Sequence, residues 1–112
     1  MVSFCNEIEK EKAFKILDEA IISGITFLDT ADVYGDGRSE ALIGEYLKNS
    51  KANIKIATKF GRGSNVFPNN YSEQALRDSV NTSRERLNVE CIDLLQLHCI
   101  PTEVLEKGEI FV

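Results

Sequence analysis

Apolar residues recur along the chain in two periods, one typical of helices and the other of strands. The first helix is predicted to begin after Asn6, a candidate N-cap with Glu9 three positions later, and to end near Ser23. Its apolar stripe follows the 3.6-residue helical spacing and comprises Ala13, Ile16, Leu17, Ala20 and Ile21. Gly24 then stands where helices commonly end.

Two further helices are predicted from similar stripes. The segment SEALIGEYLKN has Ser39 as its candidate N-cap, and its inner face carries Leu42, Ile43, Tyr46 and Leu47. A third helix is predicted from the cap Ser72 to about Leu87, with an inner side of Ala75, Leu76, Ser79, Val80 and Ser83. A proline opens the last segment, PTEVLEKGEIFV, where another helix can begin.

Short β-rich segments separate these helices. ITFLDT, NIKIATKF and CIDLLQLHCI are each predicted to form a strand, and the loop GRGSNVFPNN follows the second strand. Strands that alternate with helices of about ten or more residues form parallel sheets joined by right-handed crossovers. The predicted fold class is therefore α/β, built from parallel βα units in either an open sheet or a closed barrel.

Each predicted strand carries an ionisable residue at its C-terminal end, where a helix-covered strand is normally apolar. These residues are Asp29, Lys59 and His98. Period-two alternation gives them one common face, which Gln96 shares, and leaves to the helix-covered face Leu28, Ile54, Ile56, Leu95 and Leu97. Ligands of α/β proteins bind outside the carboxyl ends of parallel strands, so the three ionisable side chains are predicted to share one site.

Composition narrows the class of protein. The chain has 112 residues, enough for one domain, with 43% hydrophobic and 28% charged residues. Its net charge of -5 disfavours binding to nucleic acid or to an anionic membrane surface. Apolar runs stay shorter than the roughly 18 residues that span a bilayer, and the first residues lack the pattern of a signal peptide. We therefore expect a cytoplasmic protein with no membrane or nucleic-acid partner.

The cysteines Cys5, Cys91 and Cys99 lack the spacing of a zinc site or a disulfide framework. We expect reduced thiols and no metal site. Cys99 follows the only histidine, His98, but neighbouring residues on a strand point to opposite faces. A small buried side chain is therefore the favoured interpretation of Cys99.

A tyrosine, Tyr34, lies five positions after Asp29 in the loop that follows the first strand. A nearby ammonium stabilises a phenolate and so makes a phenol a stronger acid. Lys59 can supply this ammonium, and Asp29 can supply the countercharge that a buried lysine needs. His98 can orient a substrate oxygen. Such a general acid suits carbonyl reduction, in which hydride reaches carbon and a proton reaches oxygen.

The segments GITFLDTADVYGDGRSEALIGEYL, IATKFG and IDLLQLHCI resemble the aldo-keto reductase family. The family pattern is a strand with D-T-A-x-x-Y-G, a helix opening near S-E-x-x-(I/V/L)-G, a strand ending in T-K and a strand ending in L-x-H. The resemblance implies a (β/α)8 TIM barrel and NADPH as the usual cofactor. It implies that Tyr34 is the proton donor, that Lys59 activates Tyr34, and that Asp29 pairs with Lys59 and contacts the nicotinamide ribose. It also implies that His98 orients the carbonyl, so that Tyr34 and His98 contact the substrate.

The resemblance covers only part of a barrel, because a closed eight-stranded barrel needs roughly 250 residues. Residues 1–112 are predicted to be a partial aldo-keto reductase domain, from the first barrel helix through the fourth barrel strand. The half that holds most of the family's NADPH site lies outside this range. Unpaired sheet edges predict self-association, and we expect a truncated chain with negligible reductase activity when isolated.

The leading hypothesis is an NADPH-dependent oxidoreductase that reduces small aldehydes or ketones to alcohols. A non-catalytic binding or regulatory protein on the same scaffold would keep the four polar residues as inherited features. A phospho-receiver domain would use Asp29 as acceptor and Lys59 as partner, but it would leave Tyr34 and His98 unexplained.

Several residues near the predicted site have simpler explanations. The segments GDG and GRG lack the third glycine of a nucleotide-binding G-x-G-x-x-G pattern, and they are interpreted as turns. Arg38 and Arg62 are expected to be solvated. Tyr71 and Phe67 are expected either to line a substrate pocket or to fix their loop in place.

Overall fold

The computed structural model describes residues 10–50, 53–64, 66–67 and 69–107. The elements in these ranges are the helices α1 (Lys10–Ile22), α2 (Arg38–Lys48), α3 (Glu73–Leu87) and α4 (Thr102–Lys107) and the strands β1 (Phe27–Asp29), β2 (Lys55–Phe60) and β3 (Leu94–Leu97). A short 3-10 turn, Tyr34–Gly37, precedes α2. The predicted cap Asn6 and its partner Glu9 lie outside the described residues. Within the described ranges, every helix is too short or too polar to cross a membrane.

The three strands form one parallel sheet in the order β1-β2-β3. In this register Asp29 lies opposite Ala57, and Lys59 lies opposite Gln96. Residues that pair across parallel strands share a face, so Asp29, Lys59 and Gln96 project from the same side of the sheet. The predicted parallel βα arrangement is therefore present, and the predicted common face is present for Asp29, Lys59 and Gln96.

Helices cover the opposite side of the sheet. The main core joins this face to α1, α2 and the end of α3, and its buried members are Ala13, Leu17, Leu28, Leu42, Ile43, Ile56 and Leu87. Burying these apolar side chains supplies the main stabilisation of the βα layers, at about 25 cal/mol for each Å² removed from water.

A second cluster fixes the loop after β2. It consists of Phe60, Val66, Tyr71 and Ala75, all of which are buried. Of the two uses left open for Tyr71, its burial agrees with fixing the loop. Phe67 stays 42% exposed, and the Arg62 guanidinium carbon lies 4.8 Å from the centroid of its ring.

Two predicted helix caps have different outcomes. Ser72 caps α3 as expected, because its hydroxyl accepts a hydrogen bond from the Ala75 backbone N–H at 3.1 Å. Ser39 does not cap α2, so this prediction was wrong. The observed N-cap is Gly37, two residues before the predicted one, and the Ser39 hydroxyl is hydrogen-bonded to the Thr30 hydroxyl at 2.7 Å.

Other differences concern the strand ends and the exposed apolar residues. β3 ends at Leu97, so His98 follows the strand instead of closing it. Cys99 is exposed and has a φ of 58°, which corrects the expectation of a buried side chain on a strand. Ile16 was predicted on the apolar stripe of α1 and Leu97 on the helix-covered face of the sheet, but they are 42% and 40% exposed. α3 packs over β2, and this leaves the end of the edge strand β3 less covered.

Candidate active site

Asp29 and Lys59 form a largely buried ion pair at the C-terminal ends of β1 and β2. Lys59 Nζ donates to Asp29 Oδ1 at 3.1 Å and to the Thr30 carbonyl oxygen at 2.7 Å. The Lys59 side chain is only 14% exposed and the Asp29 side chain 22%. Lys59 lies two residues beyond the position opposite Asp29, and its long side chain reaches back across the strands. The fold thus forms the contact that the sequence predicted, while the catalytic roles of both residues stay predictions.

Tyr34 begins the turn that leaves β1. The Lys59 ammonium lies 4.8 Å from the centroid of the Tyr34 ring, which is within the range of a cation–π contact. The turn is closed by the Tyr34 N–H donating to the Ala31 carbonyl at 3.3 Å and by the Asp36 N–H donating to the Val33 carbonyl at 3.0 Å. The Lys59 ammonium therefore lies between the Tyr34 ring and the Asp29 carboxylate and contacts both.

His98 lies beside the end of β2. Its backbone N–H donates to the Phe60 carbonyl at 2.7 Å. Burial lowers the pKa of His98 from its ordinary value of 6.5, and the positive charges of Lys59 and Arg62 lower it further. The imidazole is therefore neutral at neutral pH. Its Nδ1 is buried and has no hydrogen-bond partner among the described residues.

Gln96 is a member of this site to which the sequence reasoning gave no role. Its Nε2 donates to Asp29 Oδ1 at 3.0 Å, so the same carboxylate oxygen accepts hydrogen bonds from both Gln96 and Lys59. The available signal was its place on the same strand face as His98. Its contact with Asp29 depends on the register of three strands, which the sequence pattern does not specify.

A buried polar network lies behind the site, on the helical side of the sheet. The Glu40 carboxylate is fully buried. One of its oxygens accepts from the Thr58 hydroxyl at 2.7 Å, and the other accepts from Arg86 Nη1 at 3.2 Å. Glu40 is part of the S-E pattern in the sequence, but nothing in that pattern identified its partners.

Asp32 lies at the edge of this network. Burial raises the pKa of its carboxyl group, and the nearby negative charge of Glu40 raises it further, while Arg86 partly opposes both effects. Asp32 Oδ1 is buried without a hydrogen-bond partner in the described part of the chain. The loop that leads to Tyr34 therefore carries a carboxyl group whose charged form is disfavoured by its surroundings.

The comparisons with known proteins agree with the fold. The model of the Aldo/keto reductase family matches residues 2–106. The chain belongs to the aldo/keto reductase family.

Individual relatives match over most of this chain. An uncharacterized oxidoreductase of Bacillus subtilis, YqkF, is 44% identical over 94 residues, which are 80% of this chain and 31% of that protein. A probable aldo-keto reductase 1 of Glycine max is 38% identical over 106 residues, which are 91% of this chain and again 31% of the relative. The chain therefore spans about a third of the length of these relatives.

Solved structures give the same result for the fold. The aldo-keto reductase AKR11C1 of Bacillus halodurans, in its holo form, superposes with a TM-score of 0.76 at 30% identity, covering 96% of this chain and 42% of that one. The glycerol dehydrogenase AKR11B4 of Gluconobacter oxydans superposes with a TM-score of 0.73 at 25% identity, covering 95% of this chain and 38% of that one. The predicted fold, a partial (β/α)8 barrel, is confirmed.

Proposed function

We propose that this chain supplies the proton-donating part of an NADPH-dependent oxidoreductase that reduces small aldehydes or ketones to alcohols. One observation carries the proposal. The ammonium of Lys59 contacts the Asp29 carboxylate and lies over the Tyr34 ring, so a countercharge, a cation and a phenol are already assembled. Membership of the family supports redox chemistry at this site.

Carbonyl reduction requires a hydride at carbon and a proton at oxygen. NADPH supplies the hydride when it is bound. On the protein side, the Tyr34 hydroxyl gives its proton to the carbonyl oxygen, and the Lys59 ammonium stabilises the phenolate that is left. Asp29 and the Thr30 carbonyl hold this ammonium in place through their hydrogen bonds to Nζ.

The remaining polar groups of the site fit a substrate oxygen and a cofactor. His98 Nδ1 is buried and has no hydrogen-bond partner in the described ranges, so it is a group that a bound molecule would satisfy. In its neutral form His98 orients the carbonyl oxygen by a hydrogen bond without competing for the proton. The carboxylate of Asp29 would accept from the ribose hydroxyls beside the nicotinamide, in line with the role that the family resemblance implies.

Grafting tests the proposed role of Tyr34. The matching segment of the Bacillus halodurans aldo-keto reductase is replaced by this chain, and NADPH oxidation is followed with a small aldehyde as substrate. We expect turnover, and we expect Tyr34→Phe to abolish turnover while NADPH binding, measured by fluorescence, is retained. Tyr46→Phe is the matched control, because Tyr46 lies on α2 and its hydroxyl donates to Asp18 at 2.6 Å. The proposal would be contradicted by a folded graft that binds NADPH without turnover, or by a graft whose turnover is unchanged in the Tyr34→Phe variant.

The isolated chain provides a second measurement. We expect negligible NADPH oxidation by the 112-residue protein, since it spans about a third of its relatives. We also expect self-association, because the sheet face that bears the site exposes Phe27 by 42% and Leu94 by 47%. Sedimentation over a range of concentrations measures the association, and robust turnover by a monomeric species would refute both expectations together.

A further inference from the structure

Arg86, near the C-terminal end of α3, lies directly behind the turn that carries Tyr34. Its Nη1 donates to the Asp32 backbone carbonyl at 3.3 Å, two residues before Tyr34. The same nitrogen donates to Glu40 Oε1 at 3.2 Å. One guanidinium therefore contacts both the entrance of the turn and a side chain of the helix that follows it.

The guanidinium also packs against the end of the turn. Gly37 closes the turn with a φ of 90°, and a Cβ added there would lie 2.7 Å from Arg86 Cζ and 2.8 Å from Arg86 Nε. A side chain at position 37 would therefore collide with the guanidinium. Because Asp32 precedes Tyr34 and Gly37 follows it, Arg86 contacts the chain on both sides of the phenol.

Arg86 is itself held in place by the fully buried carboxylate of Glu40. The second oxygen of Glu40 accepts from the hydroxyl of Thr58, the residue that precedes Lys59 on β2. A buried carboxylate needs a cationic or hydrogen-bonding partner, so removing one partner of Glu40 alone would strongly destabilise the fold. It links the turn that bears Tyr34 to the strand that bears Lys59.

We propose that Arg86 is a positioning residue, which holds the Tyr34 turn against β2 and so keeps the phenol over the Lys59 ammonium. This inference depends on the proposed function in one respect, the role of Tyr34 as the proton donor. Lysine is a poor substitute at this position. A lysine ammonium lacks the planar guanidinium group that packs on Gly37.

A purely structural role for Arg86 makes a different prediction. Such a role would lower the stability of the whole chain and leave the folded state unchanged. A positioning role would release the turn while the chain remains folded. The two are separated by observing the turn itself under native conditions, through the ring signals of Tyr34 and the exchange of the Asp36 amide, whose N–H donates to Val33.

The experiment is NMR on the 112-residue chain with isotope-labelled backbone amides and tyrosine rings, in which Tyr34→Phe assigns the Tyr34 signal. In Arg86→Lys we expect displaced or broadened Tyr34 ring signals, unchanged Tyr46 signals, and exchange of the Asp36 amide faster by at least about tenfold. Arg84→Gln is the matched control, since Arg84 lies one half-turn away on α3 and bonds Asn81.

If a single change at Arg86 unfolds the chain, the double variant Glu40→Gln with Arg86→Gln removes the pair without leaving a buried charge unpaired. Unchanged Tyr34 signals and Asp36 exchange in a folded Arg86 variant would overturn the inference. In the grafted enzyme we expect Arg86→Lys to lower kcat more than it raises KM. If Tyr34→Phe leaves turnover intact while Arg86→Lys still releases the turn, the proposed function fails and the positioning role stands.

Discussion

Replacing Lys59 with methionine removes the cation from the centre of the site while keeping a side chain of similar length. Three contacts are lost together: the ion pair with Asp29, the hydrogen bond to the Thr30 carbonyl, and the cation above the Tyr34 ring. The Asp29 carboxylate is left with Gln96 as its hydrogen-bond donor. We therefore expect Lys59→Met to destabilise the fold as well as to disable the site.

The geometry of the pair sets the size of this effect. Opposite unit charges 3.1 Å apart attract by about 5 kcal/mol at an effective dielectric constant of about 20. Part of this attraction offsets the desolvation of the two groups, and removing one partner of a buried pair typically costs about 3–5 kcal/mol. The pair retains some solvent contact, and Gln96 continues to bind Asp29 Oδ1. The free energy of unfolding should therefore fall by about 2–3 kcal/mol.

Lys55→Met is the matched control, because Lys55 lies on the same strand and the same face. Lys55 Nζ is 3.9 Å from Asp93 Oδ1, and the two side chains are 60% and 36% exposed, so its loss should cost less than about 1 kcal/mol. Urea unfolding at neutral pH, followed by circular dichroism, measures both variants. Losses that agree within about 0.5 kcal/mol would refute the claim that burial makes the Lys59 pair the stronger one.

Three further predictions follow from the same geometry. His98 is the only histidine, so its NMR titration is unambiguous, and Lys59→Met should raise the pKa of His98 by removing a neighbouring positive charge; an unchanged or lower value would contradict this. Because burial raises the pKa of Asp32 above its ordinary 3.8, the stability that this carboxyl group contributes is present at low pH and is lost as pH rises through its folded pKa. Asp32→Asn should therefore be more stable than the parent at pH 7, with the difference closing below about pH 4 in urea titrations. Gly44→Ala should cost about 2–3 kcal/mol in thermal or urea unfolding, because the added Cβ would lie only 1.9 Å from the Arg86 carbonyl oxygen where α2 crosses α3.

The parts of the fold that depend on local periodicity were predictable. The alternation in β1, β2 and β3 identified the face that carries Asp29 and Lys59, because successive residues of a strand point to opposite sides whatever the register. The stripe of α3 and its cap at Ser72 were equally local, since the cap is satisfied within the first helical turn.

Contacts set by tertiary geometry were not predictable in this way. Gln96 bonds Asp29 across 67 positions of sequence, and Arg86 bonds Glu40 across 46. Ser39 matched the pattern of an N-cap, but a buried hydroxyl nine positions earlier bonds it instead. In each case the packing of distant segments determines the hydrogen-bond partner. The local sequence around the side chain is the same for any partner, so it does not identify the one that is bound.

The strand β2 joins the site to the buried network, and its register determines both. Lys59 points to the face of Asp29 and Gln96, whereas its neighbour Thr58 points to the helical layer and donates to Glu40. A slip of β2 by one residue would exchange these two sides, placing an ammonium among buried groups and a hydroxyl at the site. The hydrogen bond between Thr58 and Glu40 opposes such a slip, because the slip would leave a buried carboxylate without one of its donors. The polar residues behind the sheet thus specify which residue of β2 reaches Asp29.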